Sequence, residues 1–318
     1  MNDATKIASP FHLIAVFSLA SLLSSHAPGA PAQPLPHITI DTKKKIVDLD
    51  AKVVLREGDW IELLGCAVGT REHESIVVIH AKASHVHTAL MLVGHEPGSC
   101  IRWTWDGQTP HIIPPHGDRI AVHVVLQKDG KEVEVPANQW IVNKEQQKTV
   151  PDNVWLFTGS SILEVPDPDD PNKVVNRYRG DIEGNIISVV NFGDEVLGRP
   201  TQVTDKDDKG MLTVNTPKVP EVGTKVKVRL RAADPIKPGA VLAIGQDGSL
   251  RLDKNPADAA DLAGRLTTAL DKAGKDKQRI VKIEAHAKAP PTAYAPVLEA
   301  IAKAKAEMWH VVVSDEAR

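Results

Sequence analysis

From Ile38 to Leu230 the apolar residues recur mostly with period two, in runs too short for most helices, and that pattern restricts the chain to a fold built from strands. Ile38 and Ile40 alternate with polar residues, and Val47, Leu49, Ala51, Val53 and Leu55 continue in the same way. Each row predicts a strand with one buried face. Residues 60–64 form a further short strand, and Ile76, Val77, Val78 and Ile79 make an unbroken apolar run suited to a strand buried on both faces. Ile120, Val122, Val124 and Leu126 alternate, turn at Asp129-Gly130 and return through Val133 and Val135, the clearest hairpin signature in the chain. Residues 140–142, 154–157 and 186–190 add buried strands, and Val226, Val228 and Leu230 close the series. Only Val86, Ala89, Leu90 and Val93 fall at helical spacing, with Ser84 placed to cap the first turn and Gly94 placed for a left-handed stop. The expectation is a β-rich α+β domain over 35–232, with antiparallel or mixed sheets and one short helix.

The pattern changes after a Pro-rich joint at 233–239. Residues 241–244 read as a strand, Asp247-Gly248 as a turn and 250–252 as the returning strand. Asn255-Pro256 pairs a cap residue with a first-turn proline and predicts a helix start, with Leu262, Leu266 and Leu270 as its apolar stripe. A strand at 280–283, a helix over 294–308 facing inward through Val297, Ile301 and Ala304, and a strand at 311–313 complete the order ββαβαβ. That order suits a small α/β domain over 240–316 with helices on one face of its sheet. A length of 318 residues accommodates two folded units.

The first 32 residues have a different character. Lys6 leads into an apolar run over 13–23, too short to span a bilayer comfortably, and Ala30-Pro31-Ala32 offers small residues at the cleavage positions. A cleaved secretory signal peptide is expected, with an uncleaved amino-terminal anchor as the alternative. No cysteine follows the apolar run closely, which disfavours a lipoprotein. The mature chain is expected to be periplasmic or secreted, with no later stretch apolar enough to cross a membrane. Export permits a disulfide between Cys66 and Cys100, and two buried thiols are the alternative.

A formal net charge of -3 and an aromatic content of 4% leave neither basic excess nor stacking platforms, so nucleic-acid binding is not expected. Chemistry-bearing side chains concentrate between Leu63 and Leu92, where Cys66, Glu72, His73, Glu74 and His87 lie close in sequence. Cys66, His73 and His87 could ligate zinc or a similar divalent metal, with Glu72 or Glu74 as a fourth ligand or a partner to a histidine. No C-x-x-C or H-E-x-x-H spacing supports this, and the arrangement requires 70–75 to be a loop, since one strand would turn His73 away from both glutamates. A Cys-His nucleophile would need an orienting group and an oxyanion site as well. The simpler reading pairs Arg71 with a glutamate, bonds His73 to backbone and buries Cys66 as a small apolar group. His80, His85, His95, His111, His116 and His123 lack ligand spacing and read as surface or satisfied histidines. Asp167, Asp169 and Asp170 read as a solvated loop, and Trp140, Trp155 and Phe157 as core.

The segment 37–232 resembles the YdjY-like domain family of bacterial envelope proteins. The likeness is carried by Glu62-Leu63 through Cys66, by Gly69-Thr70-Arg71-Glu72-His73-Glu74-Ser75, by Val86-His87 with Ala89-Leu90, and by Gly94 and Glu96-Pro97-Gly98. Trp140-Ile141-Val142, Trp155-Leu156-Phe157-Thr158-Gly159-Ser160 and Asn191-Phe192-Gly193 continue it. The C-terminal segment, about 238–316, is similar to the periplasmic domain of the ExbD/TolR biopolymer-transport family through Ile244, Asp247-Gly248, Leu250, Leu262, Val281, Ile283, Ala285, Tyr294 and Val297. It lacks that family's membrane helix with its proton-carrying aspartate, and Met308-Trp309 stands where a glycine would precede the last strand. These resemblances imply an envelope binding or scaffolding protein that contacts another envelope protein, the cell wall or a second copy through its C-terminal domain. The alternative is a periplasmic metal- or thiol-dependent redox protein or enzyme using Cys66, His73 and His87.

Overall fold

Rows of alternating apolar residues bury most surface when their sheet curls until its two edges meet, and the strands here do so. In the computed structural model, which describes residues 35–313 except 59, 146, 151, 171, 201–211 and 275–277, Ile46–Val53, Lys225–Ala232, Arg119–Lys128, Val154–Phe157, Leu197–Gly198, Asn185–Ser188, Leu63–Ala67 and Ser75–Ile79 are hydrogen-bonded in that order. The last of these returns to the first through Ala51↔Ile79 and Val53↔Val77, closing an eight-stranded barrel. Closure is possible because Ile46–Val53 divides one of its edges: its first half pairs with Ile38–Asp41 and its second with Ser75–Ile79. Most pairings are antiparallel, but Leu63–Ala67 runs parallel to Ser75–Ile79. The protein is β-dominated with a few short helices, as the alternation predicts.

Val47, Leu49, Ala51 and Val53 face inward with Val226, Val228 and Leu230 and with Ile120, Val122 and Val124, joined by Trp140, Trp155 and Phe157 in one buried cluster. Each fully buried Val, Leu or Phe of this kind contributes about 1.5–3 kcal/mol, and eight strands enclose just enough room for side chains to fill. Trp140, Trp155 and Phe157 are core, as expected. On the outer face Arg229 spans neighbouring strands, donating to both oxygens of Asp48 at 2.8 Å and to Glu134 at 2.8 Å.

Helix α1 (Ala83–Leu92) adds Val86, Ala89 and Leu90 to the same cluster, and Gly94 at φ 87 stops it. Its N-terminus departs from expectation. Ser84 caps nothing; instead its N–H and hydroxyl both donate to Asp181, at 2.9 and 2.6 Å, from the short helix α2 (Arg179–Glu183). A carboxylate nearly one hundred residues away thus serves as the cap. Asp181→Ala should lower stability by about 1–2 kcal/mol while Asp181→Asn retains most of it, a difference that thermal melts would register.

Three C-terminal details correct the ββαβαβ reading. Asn255–Ala257 is an edge strand, not a helix start: Asp253 and Lys254, at φ 47 and 70, form a two-residue turn that folds it back on Leu250–Leu252. Pro256 has no N–H and is tolerated there because edge strands leave donors unused. Helix α3 therefore begins only at Leu262 and runs to Lys272, and α4 spans Tyr294–Lys303, short of Met308. Met308 belongs to the last strand, Glu307–Val313. The five-stranded sheet has the order Asn255–Ala257, Leu250–Leu252, Pro238–Ile244, Gln278–His286, Glu307–Val313. Ala240, Leu242, Ile244, Val281 and Ile283 pack with the apolar stripes of α3 and α4, and Ile113 enters this second cluster from the hairpin Arg102–Trp105/Pro110–Ile113. The signal peptide expected over residues 1–32 lies outside the described residues. Among those residues, no helix is long and apolar enough to cross a membrane.

Candidate functional site

The segment 70–75 is a loop with one short 3-10 turn, Glu72–Glu74, as a shared site around Cys66 would require. Its bonds are structural. Thr70 donates to Ala67 O at 2.7 Å, Ser75 to Arg71 O at 2.7 Å, and Glu72 accepts from Gly69 N–H at 2.9 Å. Arg71 pairs with Glu74 at 2.9 Å and Glu62 at 3.4 Å, and its guanidinium lies 4.6 Å from the centre of the Phe192 ring. His73 projects into solvent, 78% exposed, with its nearest carboxylate oxygen, on Glu74, at 3.8 Å.

Cys66 is wholly buried in a small cluster with Leu63 and Val78. Burial pushes its pKa up, only partly offset by hydrogen bonds to Ser75 and Thr70. The thiol is protonated at neutral pH and a weak nucleophile. His87 belongs to another place: its Nδ1 meets Gly159 O and Tyr178 OH at 3.1 Å each, and its ring stands edge-on to Phe157. Burial lowers its pKa and keeps it neutral. Cys66, His73 and His87 are therefore not brought together, and among the described residues no group of three or more His, Cys, Asp or Glu side chains is arranged to hold a metal ion. The zinc reading of Cys66, His73 and His87 thus has no geometric support among the described residues. Nor do the cysteines join. Both are free, and the Cys100 thiol donates to Glu195 O at 3.3 Å in a separate buried setting.

The arrangement that sequence spacing does not disclose lies where the last strand meets the barrel. A cleft of about 750 Å³ opens there, its walls including His95, His116, Asp118 and Arg119 on one side and Trp309 and His310 on the other. Asp118 accepts from Glu96 N–H at 3.0 Å and lies 3.2 Å from His95 Nδ1. Arg119 donates to Asp234 O at 2.8 Å and faces the Trp309 ring at 6.0 Å. Glu307 bonds the Asp152 side chain, and partial desolvation of its carboxyl together with that contact raises its pKa to about 7, although the residue as a whole is exposed. His111 is satisfied as expected, by Asp106 at 2.6 Å, whereas His123 accepts from Arg231 at 3.1 Å through Nε2 and leaves its buried Nδ1 without a hydrogen bond. His116 and His310 are different, since they meet each other across the joint with ring centres 5.5 Å apart. The only sequence signal for His310 is an ionisable residue inside the apolar run 309–313.

Compared with known families, residues 38–231, more than half of the chain, match the model described as the YdjY domain. A search of curated proteins gives no match.

Proposed function

The chain belongs to the YdjY domain family, and on that premise we propose that it is an exported bacterial envelope protein acting as a binding and assembly module, with self-association through its C-terminal sheet. One observation carries this reading. Helices cover only one face of that sheet; the other presents half-buried Val241, Ala243, Val311 and Val313 around the Lys282–Glu284 ion pair at 2.7 Å. These apolar side chains lie among charges of both signs, with Arg251 directly beside Ala243 and the Lys282–Glu284 pair between the strands, a mixed surface that a second copy related by two-fold symmetry complements. The resemblance of the segment to the ExbD/TolR periplasmic domain supports the same reading, and export rests on the amino-terminal apolar run. The alternative that works through Cys66 draws no support from a buried, protonated thiol remote from its supposed partners.

Sedimentation of the intact protein tests the assignment. A dimer is expected, and Val241→Glu combined with Val311→Glu should yield monomers whose far-ultraviolet circular dichroism matches wild type and whose melting temperature no longer depends on protein concentration. A wild-type protein that stays monomeric at its highest soluble concentration would overturn it.

A further inference from the structure

The joint between the last strand and the barrel turns on one imidazole. His310 is 2% exposed. Its Nδ1–H donates to Pro114 O at 3.0 Å, and Nε2 lies 3.3 Å from the Tyr294 hydroxyl, which donates to it. One donor and one acceptor are the full complement of a neutral histidine. A second proton would displace the tyrosine's hydrogen bond and place a cation in an apolar joint. The groups facing it are His116 and Arg102 from the barrel side and Tyr294 from α4; none is a carboxylate, and only the Pro114 and Pro115 carbonyls would favour the charge.

From this geometry we infer that the C-terminal sheet is docked on the barrel by a histidine that must remain neutral, so that acidification releases the sheet while the barrel stays folded. Burial first, and His116 second, lower the pKa of His310 to about 4, against an ordinary 6.5. Docking is therefore complete above about pH 6.5 and weakens as pH falls toward 4. His116, lowered by burial and by Arg102, acts in the same direction. Glu307, on the same strand, acts in the opposite one. Its carboxyl faces Asp152, Arg199 and Arg119, and its raised pKa favours the docked form below about 4.5 and weakens it as pH rises to about 7. Because Glu307 remains exposed to solvent, screening reduces its share and the acid limb set by His310 prevails.

Hydrogen exchange of the intact protein between about pH 4 and 7.5 tests the inference, with exchange over 116–118 and 307–313 expressed relative to Val122 and Val124 in the barrel so that the intrinsic pH dependence cancels. The ratio should rise on the order of tenfold from pH 6.5 to 4.5. His310→Asn, which preserves the donor to Pro114, should flatten the rise, and Glu307→Gln should steepen it. A flat wild-type ratio, an unaltered acid rise in H310N, or barrel amides opening in step with the joint would each overturn the proposal. Should H310N fail to fold, the imidazole resonances of the wild type decide: His310 titrating at 6.5 or above is incompatible with this mechanism.

Discussion

Gly117→Ala should cost about 4 kcal/mol or more and lower the melting temperature by roughly 10 °C. Gly117 sits at φ 144, a conformation side chains rarely adopt, and a Cβ there would overlap the Phe157 carbonyl oxygen. That oxygen is already committed, accepting from Gly98 N–H at 2.8 Å, while Phe157 N–H donates to Asp118 O at 2.8 Å. Gly98 is equally confined, because its own Cβ would strike the His116 carbonyl. Three chain segments cross here under the cleft, each held by backbone hydrogen bonds, so none can shift without releasing another. Gly107, at φ 95 with open space around it, is the control. Gly107→Asn should cost less than about 1 kcal/mol, since asparagine tolerates left-handed conformations. Thermal melts of both variants decide the point, and a G117A protein melting like wild type would refute the claim of close approach.

Period-two rows made the barrel's strands legible because alternation records which side of each strand is buried. The closure was not legible. It depends on Ile46–Val53 sharing one edge between two partners, and pairing choices leave no periodic mark. The Asp129-Gly130 hairpin was readable from its turn chemistry, with φ values of 52 and 74. Asp253-Lys254 makes a similar turn without a glycine, which is why Asn255-Pro256 resembled a helix start. Proximity in sequence overstated the site: Cys66 and His87 are 21 positions apart, yet the strand buries one thiol and the helix carries the imidazole to Tyr178. The joint, by contrast, unites Pro114 and His116 with Tyr294 and His310 over more than 170 positions, and no local pattern could announce it.

Glu195→Ala should destabilise the protein by roughly 3–5 kcal/mol, whereas Glu195→Gln should stay within about 1–2 kcal/mol of wild type. Glu195 is wholly buried, and its Oε2 accepts the backbone N–H groups of Phe192, Gly193 and Asp194 at 3.1, 2.8 and 3.0 Å. One carboxyl oxygen thus satisfies three donors in the loop that presents Phe192 to Arg71. Alanine strands all three, while the amide oxygen of glutamine can take them over. Burial is the chief cause raising this carboxyl above its ordinary 4.5, with Asp194 adding to it against the lowering effect of the same N–H groups. The wild-type contribution is therefore greatest below pH 4.5 and declines as pH rises through the folded-state value. Glutamine carries no such slope, so E195Q should gain on wild type as pH increases, and denaturant melts at pH 5 and 8 measure the difference. A glutamine variant as damaged as the alanine one would mean that charge, not hydrogen-bond acceptance, holds the loop.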